Sequence, residues 1–144
     1  MSIITDNTVL VHIYSGLESK NKVTLGLLVA LTAEKNDHKV TLFLAGDGVQ
    51  ILNCKKAGEI VGQGTGDLYE HLQNLKKSKV TIYVSGMSAK SRGYDEKLLD
   101  GYTAEFVMPD VLVEESIKAD SVLCYWKKEL TAPQFKSTVN QSNI

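Results

Sequence analysis

The sequence predicts an α/β fold, a three-layer α/β/α domain around a mostly parallel five-stranded sheet. Short β-branched apolar runs recur along the chain without polar alternation, as strands buried on both faces require. Segments with apolar residues at helical spacing separate them, and this alternation builds parallel sheets. At 144 residues the chain falls near the usual size of one domain and can bury about two-thirds of its unfolded surface.

The first run is Thr8-Val-Leu-Val-His-Ile-Tyr14, ended by the turn Ser15-Gly16. From about Ser19 to Lys35, Val23, Leu27, Ala30 and Leu31 recur at helical spacing, with Ser19 placed to cap. Asn36-Asp37-His38 breaks that helix, Lys39–Leu44 supplies the second strand, and Ala45-Gly46-Asp47-Gly48 closes it. Strand, helix and strand make a βαβ unit with a right-handed crossover. A short helix is expected over Val49–Lys56, then a flexible glycine-rich connector over Gly58–Gly66. Leu68, Leu72 and Leu75 mark the buried stripe of the next helix, which Asp67 or Thr65 would cap, and Val80–Val84 is the third strand. The rhythm continues with a short helix near Asp95–Leu99, a strand near Ala104–Val107, a helix from Pro109 to Lys118 and a last strand at Ser121–Tyr125. Pro109 suits a first helical turn, where its missing N–H costs nothing. From Glu129 the chain is polar and poorly periodic, so 1–128 reads as one domain and 129–144 as a polar tail.

Hydrophobic content of 43% and charged content of 23% are globular values and argue against disorder. A net charge of −1 gives no electrostatic footprint for nucleic acid. The clusters Lys76-Lys77-Ser78-Lys79 and Lys127-Lys128 read as solvated element ends. No apolar run approaches the roughly 18 residues that span a bilayer, and the amino terminus lacks the pattern of a secretory leader. A cytoplasmic protein without membrane or nucleic-acid partners is expected. Cys54 and Cys124 lack the spacing of a zinc or C-x-x-C site. That fits a reducing compartment, with no metal or cofactor, and leaves the Asn140-Gln-Ser142 sequon as chance.

The segment with most chemical content is Ser85-Gly-Met-Ser-Ala-Lys-Ser-Arg92-Gly93, read as a loop at the end of the third strand. Arg92 is the single arginine beside fifteen lysines. Its planar fork offers a geometry that Lys cannot copy, and ligands bind at the carboxyl ends of strands in open α/β sheets. Asp47, in the turn after the second strand, and Ser15, Gly16 and Glu18, after the first, belong to the same sheet end. The candidate binding set is therefore Ser85, Gly86, Ser88, Arg92, Gly93, Ser15, Gly16, Glu18 and Asp47. Gly62-Gln-Gly-Thr-Gly66 lacks the ending of a P-loop and does not follow a strand. A serine hydrolase would need a base near its nucleophile. His12 reads as part of a buried strand, His38 of a turn and His71 of an exposed helix face, and Ser85-Gly-Met-Ser88 is not the Gly-x-Ser-x-Gly elbow. Cys124 is expected in the core and Cys54 near solvent, which makes Cys54 the candidate reactive thiol.

Together the strand–loop–helix opening, Leu42-Phe-Leu-Ala-Gly-Asp-Gly-Val49, the segment ending in Arg92-Gly93 and the closing Ala119-Asp-Ser-Val-Leu-Cys124 resemble the DsrE/DsrF-like sulfur-relay family, over roughly Val9 to Tyr125. The resemblance implies an α/β/α domain assembled as a trimer or hexamer, with persulfide sulfur passed between cysteines. It also implies a carrier cysteine after the central strand, often with a second nearby, where this chain has Ser85 and Ser88. A hydroxyl cannot hold sulfane sulfur. The expectation is a noncatalytic homo-oligomer with a small polar or anion pocket, a binding or partner subunit in sulfur metabolism. A sulfurtransferase using Cys54 is one alternative. A structural oligomer without ligand, in which Arg92 ties to Asp47 or Glu18, is the other.

Overall fold

The computed structural model describes residues 7–125. The expected tail at 129–144, the Lys127-Lys128 pair and both chain ends lie outside the described residues. Strands β1 (Thr8–Ile13), β2 (Lys39–Leu44), β5 (Thr81–Ser85), β6 (Ala104–Val107) and β7 (Ser121–Tyr125) form one sheet in the order β6-β5-β2-β1-β7. Every pairing in it is parallel. Helices α1 (Lys20–Lys35) and α2 (Leu68–Lys77) pack on one face, α4 (Pro109–Lys118) on the other, and α3 (Gly86–Ser91) follows β5. This is the expected three-layer α/β architecture. None of the described helices is long and apolar enough to cross a membrane.

Strand alternation assigns the two faces. Val11, Ile13, Leu42, Leu44, Ile82 and Val84 point to the side of α1 and α2, against Val23, Leu27, Ala30, Leu68, Leu72 and Leu75. Leu10, Phe43 and Val107 point to the other side, under Val111 and Leu112 of α4. Each fully buried side chain of this kind contributes about 1.5–3 kcal/mol before entropy is subtracted. Of the two cap candidates Asp67 and Thr65, Asp67 caps α2, its Oδ1 accepting from the N–H groups of Tyr69 at 2.8 Å and Glu70 at 3.4 Å. Pro109 opens α4. Ser19 holds the N-cap position of α1 but its hydroxyl caps nothing, because a 3₁₀ turn over Leu17–Ser19 already leads into the helix.

Four local expectations change. The helix expected over Val49–Lys56 is a 3₁₀ segment over Gly46–Asn53, starting within the glycine turn. The flexible connector is folded, with a 3₁₀ turn at Ala57–Glu59 and a hairpin of β3 (Val61–Gly62) and β4 (Gly66–Asp67). Contacts with α1 pin it: Thr65 and Thr24 share a hydroxyl hydrogen bond at 2.6 Å, and the Gln63 N–H donates to Asn21 Oδ1 at 2.7 Å. His71 is buried, not exposed, because that hairpin folds over it and its Nε2 bonds the Thr65 carbonyl at 2.8 Å. Cys124 is exposed, not core. β7 is an edge strand, and α4 leaves the face around Cys124 open, with Tyr14 55% exposed nearby.

Candidate functional site

The segment Ser85–Gly93 is not a loop but the short helix α3 with both ends closed. Ser85 is its N-cap, and its Oγ accepts from the Ser88 N–H at 3.1 Å. At the other end Gly93, at φ +80°, donates to the Lys90 carbonyl and Tyr94 to the Ala89 carbonyl. That pair of bonds is a Schellman motif, which favours glycine at the left-handed position. Gly93 therefore terminates a helix, and the Arg-Gly pair is in part a stop signal.

α3 leans on the turn after β2. Ser88 Oγ accepts from the Gly46 N–H at 2.9 Å. Arg92 Nε and Nη2 both donate to Asp47 Oδ1, at 3.0 and 2.9 Å, and Nη1 donates to the Ser88 carbonyl at 3.1 Å and Ser91 Oγ at 3.2 Å. Four of the five guanidinium N–H groups are thus engaged within the protein. The ion pair is partly open to water, with side chains 29% and 51% exposed, so it is worth no more than about 1 kcal/mol. Its effect is positional, since it clamps α3 to β2.

The first strand closes the cluster from the third side. Gly16 lies so near Asp47 that a Cβ on it would sit 2.8 Å from the Asp47 Cβ. Gly46, at φ +56°, lies under the Tyr14 ring, where a Cβ would come within 2.7 Å of a ring carbon. Glu18 turns inward to its own segment and accepts from the Gly16 N–H at 3.3 Å. Ser15 is 3% exposed, and its hydroxyl has no partner among the described residues.

The tertiary structure thus brings Asp47, Ser88, Arg92 and Gly16 together. Ser85 and Gly93 have backbone roles at the two ends of α3, and Gly86 touches none of the cluster's polar groups. Sequence reasoning missed Gly46, Tyr14 and Ser91. The glycine of the Ala-Gly-Asp-Gly turn was the one available signal for them. Cys54 lies elsewhere, half-buried at the end of the 3₁₀ segment, beside Tyr102. Burial, and secondarily Cys54, push the Tyr102 hydroxyl up to about 12. No cluster of three or more metal-ligating side chains occurs among the described residues.

A model of the DsrE/DsrF-like family matches residues 8–125. Among solved structures, the crystal structure of the YchN protein from E. coli matches with a TM-score of 0.61 and 23% identity, covering 84% of this chain and 100% of that one. At that identity the likeness shows the fold. No curated protein matches the chain.

Proposed function

The chain belongs to the DsrE/DsrF-like family, and from that premise we propose that it is a noncatalytic, homo-oligomeric, cytoplasmic partner subunit in sulfur relay. The observation that carries this reading is the employment of the two strand-end serines. Ser85 caps α3 and Ser88 joins α3 to the β2 turn, so both positions where a carrier thiol is expected hold structural hydroxyls. Assembly as a trimer or hexamer is supported by the outer side of α4, where Val113 and Ile117 are 59% and 78% exposed on one helical stripe. Incubated with a persulfide donor and a thiol acceptor, the protein is expected to catalyse no transfer of sulfane sulfur. Catalysed transfer that Cys54→Ala abolishes would establish the sulfurtransferase alternative instead.

A small anion is a second reading for the strand-end cluster, favoured by the unpartnered Ser15 hydroxyl. The saturation of Arg92 by Asp47, Ser88 and Ser91 weighs the other way. It favours Arg92 as a clamp within an oligomer, with relay partners meeting the assembled surface and not a buried ligand.

A further inference from the structure

Thr8 and Thr41, in the amino-terminal halves of β1 and β2, interrupt the aliphatic pattern of the sheet on the α4 side. Their hydroxyls reach toward that helix, Thr8 Oγ1 to the Lys118 carbonyl at 3.3 Å and Thr41 Oγ1 to Glu115 Oε1 at 3.5 Å. Strands covered on both faces ordinarily carry aliphatic side chains at such positions, and a local rule broken in this way marks a candidate site. The first half of α4 rests on the sheet through Val111 and Leu112, against Leu10, Phe43 and Val107. The second half meets the two threonines instead. A cleft of about 210 Å³ stays open there, lined by Thr8, Leu10, Lys39, Thr41, Glu115 and Lys118 with their neighbours. Arg92 and Asp47 lie beyond the opposite, carboxyl end of the same sheet.

Glu115 is the charge in this cleft that the fold leaves poorly answered. Its side chain is 24% exposed, and its two polar contacts among the described residues are long, the Thr41 hydroxyl at 3.5 Å and Lys118 Nζ at 4.0 Å. An ionised carboxylate has about four acceptor sites, and one taken partly out of water needs donors to replace that hydration. Lys39 and Lys118, both exposed, add positive charge to the walls. The cleft therefore presents both signs over an apolar floor at Leu10.

We propose that this cleft binds a small zwitterion, an α-amino acid with a short uncharged side chain. Its ammonium donates to Glu115 and to the Thr41 hydroxyl, its carboxylate meets the Lys39 and Lys118 ammoniums, and its side chain lies over Leu10. The carboxyl-terminal turn of α4 ends at Lys118 and carries the negative end of the helix dipole, which adds to the preference for an ammonium inside. A simple anion would face Glu115 and a simple cation would face the two lysines, so neither half of the ligand is matched without the other. The volume lies below the roughly 300–1,000 Å³ of pockets for drug-sized ligands, which sets the size class at a few heavy atoms. The site shares no residue with the Arg92 cluster and stands whether or not the sulfur-relay reading does.

Saturation-transfer NMR on the full chain tests this with three probes: L-alanine, acetate and methylammonium. L-Alanine is expected to bind saturably, and each half-ligand at least about tenfold more weakly, since each forfeits one charge-assisted contact. Glu115→Gln keeps the shape of the side chain and removes its charge, and is expected to weaken L-alanine by about tenfold or more. Lys118→Gln is expected to weaken it by a smaller factor, about two- to fivefold, because that ammonium is largely solvated. Absence of saturable L-alanine binding, acetate or methylammonium binding as tight as L-alanine, or L-alanine binding unmoved by Glu115→Gln overturns the proposal. Should Glu115→Gln fail to fold, the three-probe comparison on the wild type and the loss of affinity in Lys118→Gln decide.

Discussion

On one face of the sheet, α1 and α2 bury Val11, Ile13, Leu42, Leu44 and Ile82 almost completely. On the other, α4 alone covers Leu10, Phe43 and Val107, and Val122 of the edge strand is left 42% exposed. The strands feeding both faces read alike in sequence, as runs of β-branched and aliphatic residues. The difference lies in how much helix lies over each. A ten-residue helix cannot cover five strands, so the second face ends in open apolar surface and an exposed thiol at Cys124. The covered face carries most of the buried apolar side chains, and the half-covered face leaves apolar surface open.

The largest test of that contrast is a pair of truncations. Leu27→Ala, under the α1 side, is expected to cost about 2–5 kcal/mol in chemical denaturation. Val122→Ala on the open face is expected to cost about 0.5 kcal/mol or less in the isolated subunit. Equal losses would erase the distinction between the faces.

Assembly sharpens it next. Light scattering is expected to give a mass several times 15.8 kDa, and Ile117→Glu to weaken the assembly by at least about tenfold in midpoint concentration, or 1.4 kcal/mol. Circular dichroism is expected to stay unchanged, because Ile117 supports no intramolecular core. A monomeric wild type would count against the proposed oligomer.

A smaller effect belongs to the strand-end clamp, which ties α3 to the turn after β2. Arg92→Lys loses the two-nitrogen grip on Asp47 and is expected to lower stability by no more than about 1 kcal/mol, since the pair is partly solvated. Sulfate, phosphate and thiosulfate are expected to leave the melting temperature of the wild type unchanged. Clear stabilisation by one of them, lost in Arg92→Lys, would move the reading to an anion site.

The smallest effect is on pH dependence. His12 is depressed below 6.5 by burial, so the unfolded chain takes up the proton before the folded one does. The His12 contribution to stability is intact above pH 6.5 and is lost as pH falls from 6.5 through the folded value. Melting curves of His12→Gln are expected to lack that part of the decline. A wild type whose stability shows no such component would place His12 in a more solvated setting than the open face provides.

Local hydrogen bonding explains which features were legible. The run Thr8–Ile13, the Leu68, Leu72, Leu75 stripe, the Asp67 cap and Pro109 at the start of α4 each depend on residues within a turn or two of chain, and all were readable. The glycine-rich stretch Gly58–Gly66 was not, because its order comes from Thr24 and Asn21 on a helix some forty residues earlier. His71 was misplaced for the same reason, as the hairpin that buries it is invisible in helical periodicity. Helix α3 was hidden by Ser85, Gly86 and Ser88, whose residue types favour turns until caps close both ends.

The sequence by itself determined the parallel α/β architecture, the order along the chain of the five sheet strands and the serine identity of the strand-end positions, because periodicity and residue chemistry are carried by neighbours in the chain. Only the tertiary structure decided that Arg92 is spent on Asp47, across 45 positions, and that Cys124 is open and lies beside His12. Strand order made that last pairing. It joins β1 to β7 across most of the chain, and no local pattern encodes which two apolar runs will share an edge.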